Sequence, residues 1–310
     1  MTYVLGLDFG GTKLAAGLVD ARGAVVARQA RPTPASGGAQ ASLALMLEMA
    51  RELLADGRLS PLAGVGVSFG GPVEADGRTV RLSMHVPGWE GARLADRLEQ
   101  EFGVPAAVAN DGDAAALAEY RFGAGRGVRH MLYLTVSTGI GGGVIIDGRL
   151  HRGERAWAGE VGHQVLKPDG PPCPCGRNGC LESLASGLSV AREARARLRA
   201  EGASGSSLAS LAPEDLTARD VAAAAAQGDR LAREVWEAAM EWLGIGVASA
   251  CNLINPGRVV IGGGLTRAGD LLFAPVRRVA AARALDPALE IVPAALGDDV
   301  GILGGAALVL

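Results

Sequence analysis

The sequence is poor in lysine, in aromatic residues and in cysteine, and it has no long apolar run. Of its 30 basic residues only Lys13 and Lys167 are lysines. With so much alanine alongside, that skew reads as genome composition and carries no function. Acidic residues slightly outnumber basic ones, for a net charge of −3. A chain without a basic excess is not a general nucleic-acid binder. No apolar stretch reaches the roughly 20 residues that span a bilayer. The N-terminal MTYVLGLD meets a charge at Asp8, too early for the apolar core of a signal peptide. No stretch reads as a linker or a disordered tail. What remains is a cytoplasmic globular protein whose 310 residues suffice for about two domains with cores of their own.

Cys251 lies in an apolar helical pattern and reads as core. Cys173, Cys175 and Cys180 stand together within eight residues, with Pro174, Gly176 and Gly179 between them. So tight a group has too little apolar surface around it to pack as core. His163 lies ten residues before the first of them. Three thiolates and one imidazole make a Cys3His set, which suits a tetrahedral structural zinc with no open position. The other reading is a pair of thiols with an occasional disulfide, which intracellular chains rarely keep. Glu160 precedes the histidine and Glu182 follows the last cysteine. A metal clip would fix both carboxylates in a loop otherwise too rich in glycine and proline to hold still.

From the N-terminus, YVLGLD at 3–8 is a short apolar run ending in an aspartate and predicts a strand. Gly10-Gly11-Thr12-Lys13 makes a tight turn, LAAGLVD a second strand, and AVVAR a third. Backbone N–H groups and a hydroxyl at such a tip suit an anion, although Gly-Gly turns are also ordinary hairpin tips. The spacing matches neither a P-loop nor a dinucleotide fingerprint. Apolar residues at helical spacing predict a helix over 40–55. LAGVGVSF then predicts a buried strand running into Gly70-Gly71-Pro72, which is either a loop built to approach a ligand closely or a plain turn. In the loop at 84–91, Trp89 reads as core in preference to a sugar platform. A strand over 105–109 leads to Asn110-Asp111 and a helix over 114–122. An aspartate there is stabilised as the anion by the helix dipole, and it is equally a common helix cap.

MLYLTVSTGIGGGVIIDGRLH repeats the plan of YVLGLDFGGTKLAAGLVDARGAVV about 130 residues later. Strand, glycine-rich turn, strand, short turn and strand recur, so the chain reads as a duplicated domain. Further on, helices are expected over 186–202 and from a Thr217 cap to Gly228, with a polar surface loop at 203–210 between them. A long apolar helix over 231–255 turns Trp236, Met240 and Leu243 to one face, read as core. RVVIGGGL is a strand ending in Gly262-Gly263-Gly264, a flat backbone against which an adenine can lie. A strand and a helix of small residues close the chain.

GEVGH followed by CPCGRNGCLE, with Asn110-Asp111 and the two glycine hairpins, resembles the ROK family (repressors, open reading frames and sugar kinases). The resemblance runs from the first strand to the last helix. It implies an α/β, actin-like (ribonuclease H-like) ATPase fold of two duplicated lobes with a cleft between them. The expected N-terminal lobe is 1–118 plus 296–310, and 119–295 forms the C-terminal lobe with the zinc loop. The implied activity is an ATP-dependent hexose kinase that passes the γ-phosphate to a sugar hydroxyl, glucose at its 6-hydroxyl being the first expectation. Asp111 is then the catalytic base, and Gly71, Asn110, Asp111, Glu160, His163 and Glu182 hold the sugar. Asp8, Gly10, Gly11, Thr12, Lys13, Thr138 and Gly139 hold the phosphates and Mg2+, while Gly263 and Gly264 border the nucleoside. The structural Zn2+ has His163, Cys173, Cys175 and Cys180 as ligands, and the assembly carried over from the family is a homodimer.

Two positions depart from the family's pattern. Asn-Asp-Ala-Asn-Ala is replaced by Asn-Asp-Gly-Asp-Ala, so Gly112 and Asp113 differ. A second carboxylate at 113 raises the pKa of Asp111 if the two are close. His85 stands where asparagine is common, which puts the glucose preference in question. The residues also admit a kinase for an N-acetylhexosamine or for fructose, polyphosphate as donor, or a non-catalytic sugar sensor. Against the sensor, no DNA-binding segment is expected ahead of the first strand at Tyr3.

Overall fold

The computed structural model describes residues 2–55, 61–83, 85–201 and 205–310. Its first half runs β1 (Tyr3–Phe9), β2 (Lys13–Asp20), β3 (Val25–Pro32), α1 (Gly38–Leu54), β4 (Leu62–Phe69), α2 (Leu94–Phe102), β5 (Ala106–Asn110) and α3 (Asp111–Phe122). There follow β6 (Met131–Val136), β7 (Ile140–Ile146), β8 (Arg149–Leu150), α4 (Leu181–Ala185), α5 (Gly187–Glu201), α6 (Ala218–Ala226) and α7 (Arg230–Ile254). The chain ends with β9 (Arg258–Gly262), α8 (Asp270–Ala281), β10 (Ile291–Pro293) and α9 (Val300–Val309). Among the described residues no helix is long and apolar enough to cross a membrane.

The two sheets have the orders β3-β2-β1-β4-β5 and β10-β9-β6-β7-β8. Read from the other edge, the second is β8-β7-β6-β9-β10, so each sheet runs third, second, first, fourth, fifth in its own chain order. The pairing senses agree as well. β2 is antiparallel to β3, β1 parallel to β4, and β4 parallel to β5. In the second sheet β7 is antiparallel to β8, β6 parallel to β9, and β9 parallel to β10. One topology appears twice, as the repeated hairpin plan predicts. The chain divides into two compact units, Met1–Arg129 with Gly143–Gly159 and Ala294–Leu310, and His130–Gly142 with Glu160–Pro293. The first unit takes in 119–129 and Gly143–Gly159, whereas the sequence-based bounds place 119–295 in the other lobe.

In the first unit, period-2 alternation decides which residues meet which helices. Leu5, Leu7 and Phe9 of β1, with Val65, Val67 and Phe69 of β4, join α1, α2 and Trp89 in one core. Trp89 packs edge-on to Phe9 and Phe69 at centroid distances of 5.4 and 5.2 Å, so it is a core residue. The alternate positions Val4, Gly6 and Asp8, and Gly64, Gly66 and Ser68, share the opposite parity. On that side α9 lies against bare backbone. A Cβ on Gly6 would stand 2.0 Å from the Ile302 carbonyl oxygen, and one on Gly66 would stand 1.8 Å from that of Gly305. The helix of small residues at the chain's end is small because a sheet surface of glycines receives it.

Glu119, fully buried in α3, ties the returning chain to this unit. Its carboxylate accepts from the backbone N–H of Ala124 at 2.8 Å and of Ala295 and Leu296 at 2.9 Å each. Three amide donors replace the water that a buried carboxylate loses.

Some expectations shift. α3 begins at Asp111, earlier than the expected start at 114, because the Asn110 side chain accepts from Gly112 N at 2.9 Å and caps the helix. Glycine is a poor helix former in a helix interior, but in the first turn it costs little. Of the expected polar loop, 203–204 fall outside the described residues, and Ser207–Ser210 forms a turn of 3-10 helix. Met84, in the loop at 84–91, also falls outside them.

The glycine face generates a prediction. Gly66→Ala forces a methyl group onto a backbone carbonyl that cannot swing away, so it should cost at least about 3 kcal/mol. That lowers the melting temperature by roughly 6 °C or more. A thermal melt within 2 °C of the wild type would show that α9 does not bear on β4 as described.

Candidate active site

In the first unit, the carboxyl ends of β1, β4 and β5 bring Asp8, Ser68 and Asn110-Asp111 to one edge of the sheet. Asp8 and Ser68 are register partners in the parallel β1–β4 pair, and Phe69 pairs with Asn110 in β4–β5. Burial pushes the Asp8 carboxyl up to about 6, and the negative charge of Asp111 adds to that. A hydrogen bond from Ser68 and the positive charge of Lys13 pull the other way. Gly301, in the first turn of α9, gives Asp8 its room, since a Cβ there would lie 2.4 Å from the Asp8 Cγ. Ser68 is a supporting residue that sequence reasoning missed. Its signal was a single hydroxyl in an otherwise apolar strand, VGVSF, in line with Asp8.

Asp111 opens α3 with part of its surface open to water, while the protein crowded round its carboxyl raises its pKa. The Gly112 N–H, 2.9 Å from Asp111 Oδ1, and the Asn110 side chain partly offset that rise, as does any positive charge on His85. Asn110 is committed on both sides. Its Oδ1 caps Gly112 N and its Nδ2 donates to the Gly71 carbonyl at 3.1 Å. That bond fixes the Gly70-Gly71-Pro72 loop against the start of α3. Asp113 is buried and meets the Arg152 guanidinium at 3.3 Å, and the carboxylate whose pKa the charge of Asp111 raises is Asp8.

The first glycine hairpin joins β1 to β2. Gly10 N donates to Lys13 O at 3.1 Å, and the Thr33 hydroxyl donates to Gly10 O at 2.8 Å. Gly11, Thr12 and Lys13 stay exposed at the tip. The His85 ring lies over Gly11, so close that a Cβ there would come within 2.8 Å of it.

In the second unit, His163 and the three clustered cysteines present ligand atoms all within 4.8 Å of one another. Cys175 Sγ and Cys180 Sγ are 3.6 Å apart, and Cys173 Sγ is 3.7 Å from His163 Nδ1. A tetrahedral zinc with bonds near 2.3 and 2.0 Å separates its ligands by about 3.5–3.8 Å. A disulfide needs about 2.05 Å, and all the cysteines are free. The donor set therefore fits zinc. The thiols' own chemistry points the same way. Burial pushes Cys173 up to about 12 and raises Cys180, while the Arg177 backbone N–H lowers Cys175 to about 7. Three thiolates cannot coexist here without a cation between them. The ring's other nitrogen, Nε2, lies 3.9 Å from Glu160 Oε2, so the histidine presents one edge to the thiols and the other to the carboxylate.

Glu182, in the first turn of α4, has a role the sequence did not disclose. Its Oε2 accepts from Ile140 N at 2.9 Å, and its Oε1 lies 3.9 Å from Cys173 Sγ. It links the cysteine loop to the second glycine hairpin, where a Cβ on Gly139 would strike Oε2 at 2.4 Å. The turn is closed by Ser137 N donating to Gly139 O at 2.9 Å. Beside it a cavity of about 760 Å³ is lined by Thr138 and Gly264 and walled by residues of α5, α6 and α7. Gly263 does not line it; its φ of +90° and its close approach to the Val136 backbone serve the strand end. Trp236 borders the cavity while staying buried, with its indole N–H on Leu271 O at 2.9 Å.

Comparison with known proteins agrees with this layout. The ROK family profile matches residues 4–310. A glucokinase of Thermotoga maritima is 35% identical over 99% of this chain and 96% of its own length. An N-acetylmannosamine kinase of Shigella boydii is 34% identical over 98% of this chain and 97% of its own. A ROK family glucokinase from Streptomyces griseus, solved with glucose and AMPPNP, superposes with a TM-score of 0.83 at 33% identity, covering 99% of both chains. Its duplicated α/β fold is that of the actin-like ATPases, and this chain belongs to the ROK family.

Proposed function

We propose that this protein is a hexose kinase that transfers the γ-phosphate of ATP to a sugar hydroxyl, with glucose as the first candidate. The observation that carries the reading is Asp111. It is a carboxylate at a helix N-terminus, with water access and with its second oxygen free of the Gly112 bond, held in place by a capping asparagine. The glucokinase relatives support glucose, and the N-acetylmannosamine kinase supports an N-acetylhexosamine as the second reading.

In this reading Asp111 accepts the proton of the attacking hydroxyl. A free aspartate, at a pKa of about 3.9, is far too weak a base to deprotonate an alcohol beforehand. Burial moves it in the useful direction. The hydroxyl becomes acidic only as its bond to phosphorus forms, so positioning is most of the work. Asn110, through Gly71, sets the loop that faces the sugar, and Glu160, His163 and Glu182 of the second unit are assigned to the remaining hydroxyls. One oxygen of Glu182 is already held by Ile140 N, which leaves the other for the sugar. The glycine hairpins, Gly10–Lys13 and Ser137–Gly139, are assigned to the phosphates, and the cavity beside Thr138 to the nucleoside.

Asp8 is assigned to magnesium, which neutralises phosphate charge when bound. Its raised pKa fits a carboxylate that awaits a cation. Zinc on the Cys3His set would brace the loop, and through Nδ1 it would fix His163 so that Nε2 faces Glu160 or a sugar hydroxyl.

A hexose panel in a coupled assay tests the reading as a whole: glucose, mannose, fructose, N-acetylglucosamine and N-acetylmannosamine with MgATP. Asp111→Asn, which can still accept from Gly112 N, should lower kcat by about 100- to 10,000-fold while leaving sugar affinity within a few fold. Turnover near wild type would mean another base.

Asp8 trades stability for activity. Its folded pKa of about 6 lies above the ordinary 3.8, so the stability tied to its neutral form is lost as pH rises through about 6. At pH 7.5 the buried charge costs up to about 3 kcal/mol. Asp8→Asn should therefore raise the melting temperature of the nucleotide-free protein at pH 7.5, with a smaller gain at pH 5, while kcat falls. An unchanged or lower melting temperature at pH 7.5 contradicts this.

Chelation tests the link from metal to sugar. One zinc per chain is expected by elemental analysis. Stripping it should raise the sugar KM about 10- to 100-fold with helix content retained by circular dichroism. A sugar KM that does not move in zinc-free protein removes the coupling.

A further inference from the structure

His85 is an exposed side chain that touches both functional ends of the first unit. At one end is the tip of the first glycine hairpin. A Cβ on Gly11 would lie 2.8 Å from each of Cβ, Cγ and Cδ2 of the histidine. Gly11 is not among the glycines with a left-handed φ, so its missing side chain makes room for the imidazole and is not demanded by the turn. Nε2 is bonded to Cδ2 and so stands beside the exposed tip. At the other end is Asp111, whose carboxyl feels a positive charge on His85. Gly11, His85 and Asp111 all belong to the first unit.

The loop that carries the ring is held on both sides. The Ser83 hydroxyl accepts from the backbone N–H of His85 at 3.3 Å and of Val86 at 3.2 Å. Val86 and Trp89 are anchored in the core, and the Pro87 carbonyl accepts from Ala39 N at 2.9 Å near the start of α1. On the other side, a Cβ on Gly71 would meet the Leu82 carbonyl oxygen at 2.4 Å. The loop therefore leans on the same Gly71 that Asn110 holds. Among the described residues the ring nitrogens have no hydrogen-bond partner. A ring fixed through its backbone, with its polar edge uncommitted, is a donor arranged before its acceptor arrives.

The acceptor follows from the proposed reaction, on which this inference rests. Gly10–Lys13 is assigned to phosphate and Asp111 to the attacking hydroxyl, so the phosphoryl group in flight lies between them. The bond from the sugar oxygen to phosphorus forms, the bond from phosphorus to the bridging oxygen of ADP breaks, and the sugar's proton passes to Asp111. That group has carboxylates on both sides, Asp8 and Asp111, and the charge of Lys13 already acts on Asp8. A further donor to its equatorial oxygens offsets the repulsion. We propose that His85 is a catalytic residue whose imidazole N–H donates to an equatorial oxygen of the γ-phosphoryl group at the Gly11 tip and stabilises that group through transfer. No bond to the histidine forms or breaks.

The test separates the γ-phosphate from the rest of the nucleotide. By calorimetry, His85→Ala should weaken binding of magnesium AMPPNP at least about tenfold, the scale of a hydrogen bond to a charged group, and leave ADP binding within about threefold. With the sugar that the panel selects, kcat should fall about 100-fold, as for a lost oxyanion donor, while the sugar KM stays within about threefold. His85→Asn keeps an N–H donor at that place and should retain clearly more kcat than His85→Ala; equal rates in the two variants overturn the donor role. Equal loss of AMPPNP and ADP affinity would make His85 a packing residue of the hairpin and overturn the proposal. A sugar KM that rises with kcat unchanged would move His85 to the sugar and overturn it too. The reading beneath fails on a different result: wild-type protein that transfers no phosphate from ATP to any sugar of the panel ends the kinase assignment and this inference with it. Active wild type with an unmoved AMPPNP/ADP affinity ratio in His85→Ala removes the histidine alone.

Discussion

Two carboxylates, Asp8 and Asp111, are set at one edge of a sheet, where burial and the negative charge of Asp111 make a charge on Asp8 hard to hold. Much of the first unit exists to keep them there. β1 and β4 present Asp8 and Ser68 side by side in register, and the same parity that turns them to the α9 face turns Gly6 and Gly66 there too. Bare glycine backbone lets α9 seat close to the sheet, and Gly301 then leaves room for the Asp8 carboxyl. Widening any of these contacts would move α9, and with it the wall that desolvates Asp8. The site's electrostatics and the fold's tightest packing are therefore one arrangement. A cation or a proton at Asp8 relieves the charge.

The second unit solves a different problem, that of holding still a loop built of glycine and proline. The backbone hydrogen bonds of the cysteine loop, Cys173 N to Arg177 O at 2.8 Å and Gly179 N to Pro171 O at 2.9 Å, form small local turns and bury little. The Cys3His set gives that loop one centre. Glu182 then carries the constraint onward, because its carboxylate touches Cys173 Sγ on one side and holds Ile140 N on the other. A disturbance of the cysteines reaches the second glycine hairpin through a single side chain.

Most of the architecture was legible in the sequence because it rests on repetition and on short apolar runs. The repeated strand–glycine–strand plan predicted a sheet built twice, and the runs YVLGLD and LAGVGVSF predicted strands. The Cys3His grouping and the core roles of Trp89 and Cys251 were legible from composition around each residue. What was not legible depends on where side chains reach across space. Asp113 lies two positions from Asp111, yet a helix turns such neighbours about 200° apart, so it meets Arg152 and the nearby charge is Asp8, a hundred residues away in sequence. Glu182 read as a substrate ligand from its place after Cys180; that it also clamps Ile140 depends on a fold-back no spacing rule encodes. The early start of α3 was hidden because glycine at 112 looks like a helix breaker unless the Asn110 cap is known to engage it.

The duplicated hairpins show what followed duplication. The strand orders around them are the same, yet the turns are held differently. Gly10–Lys13 closes on itself, leaves its tip exposed, and carries a cation in Lys13. Ser137–Gly139 carries no charge, and is pinned from outside by Glu182 on Ile140 N and by Gly187 N donating to Ser137 O at 2.8 Å. In the proposed assignment of both hairpins to phosphate, the first would attract a polyanion by charge and the second would meet it with rigid backbone donors next to an acidic clamp, so the first favours capture and the second orientation. Two copies with the same turn chemistry would supply one of these twice, and phosphoryl transfer, whose transition state depends on alignment as much as on charge neutralisation, needs both.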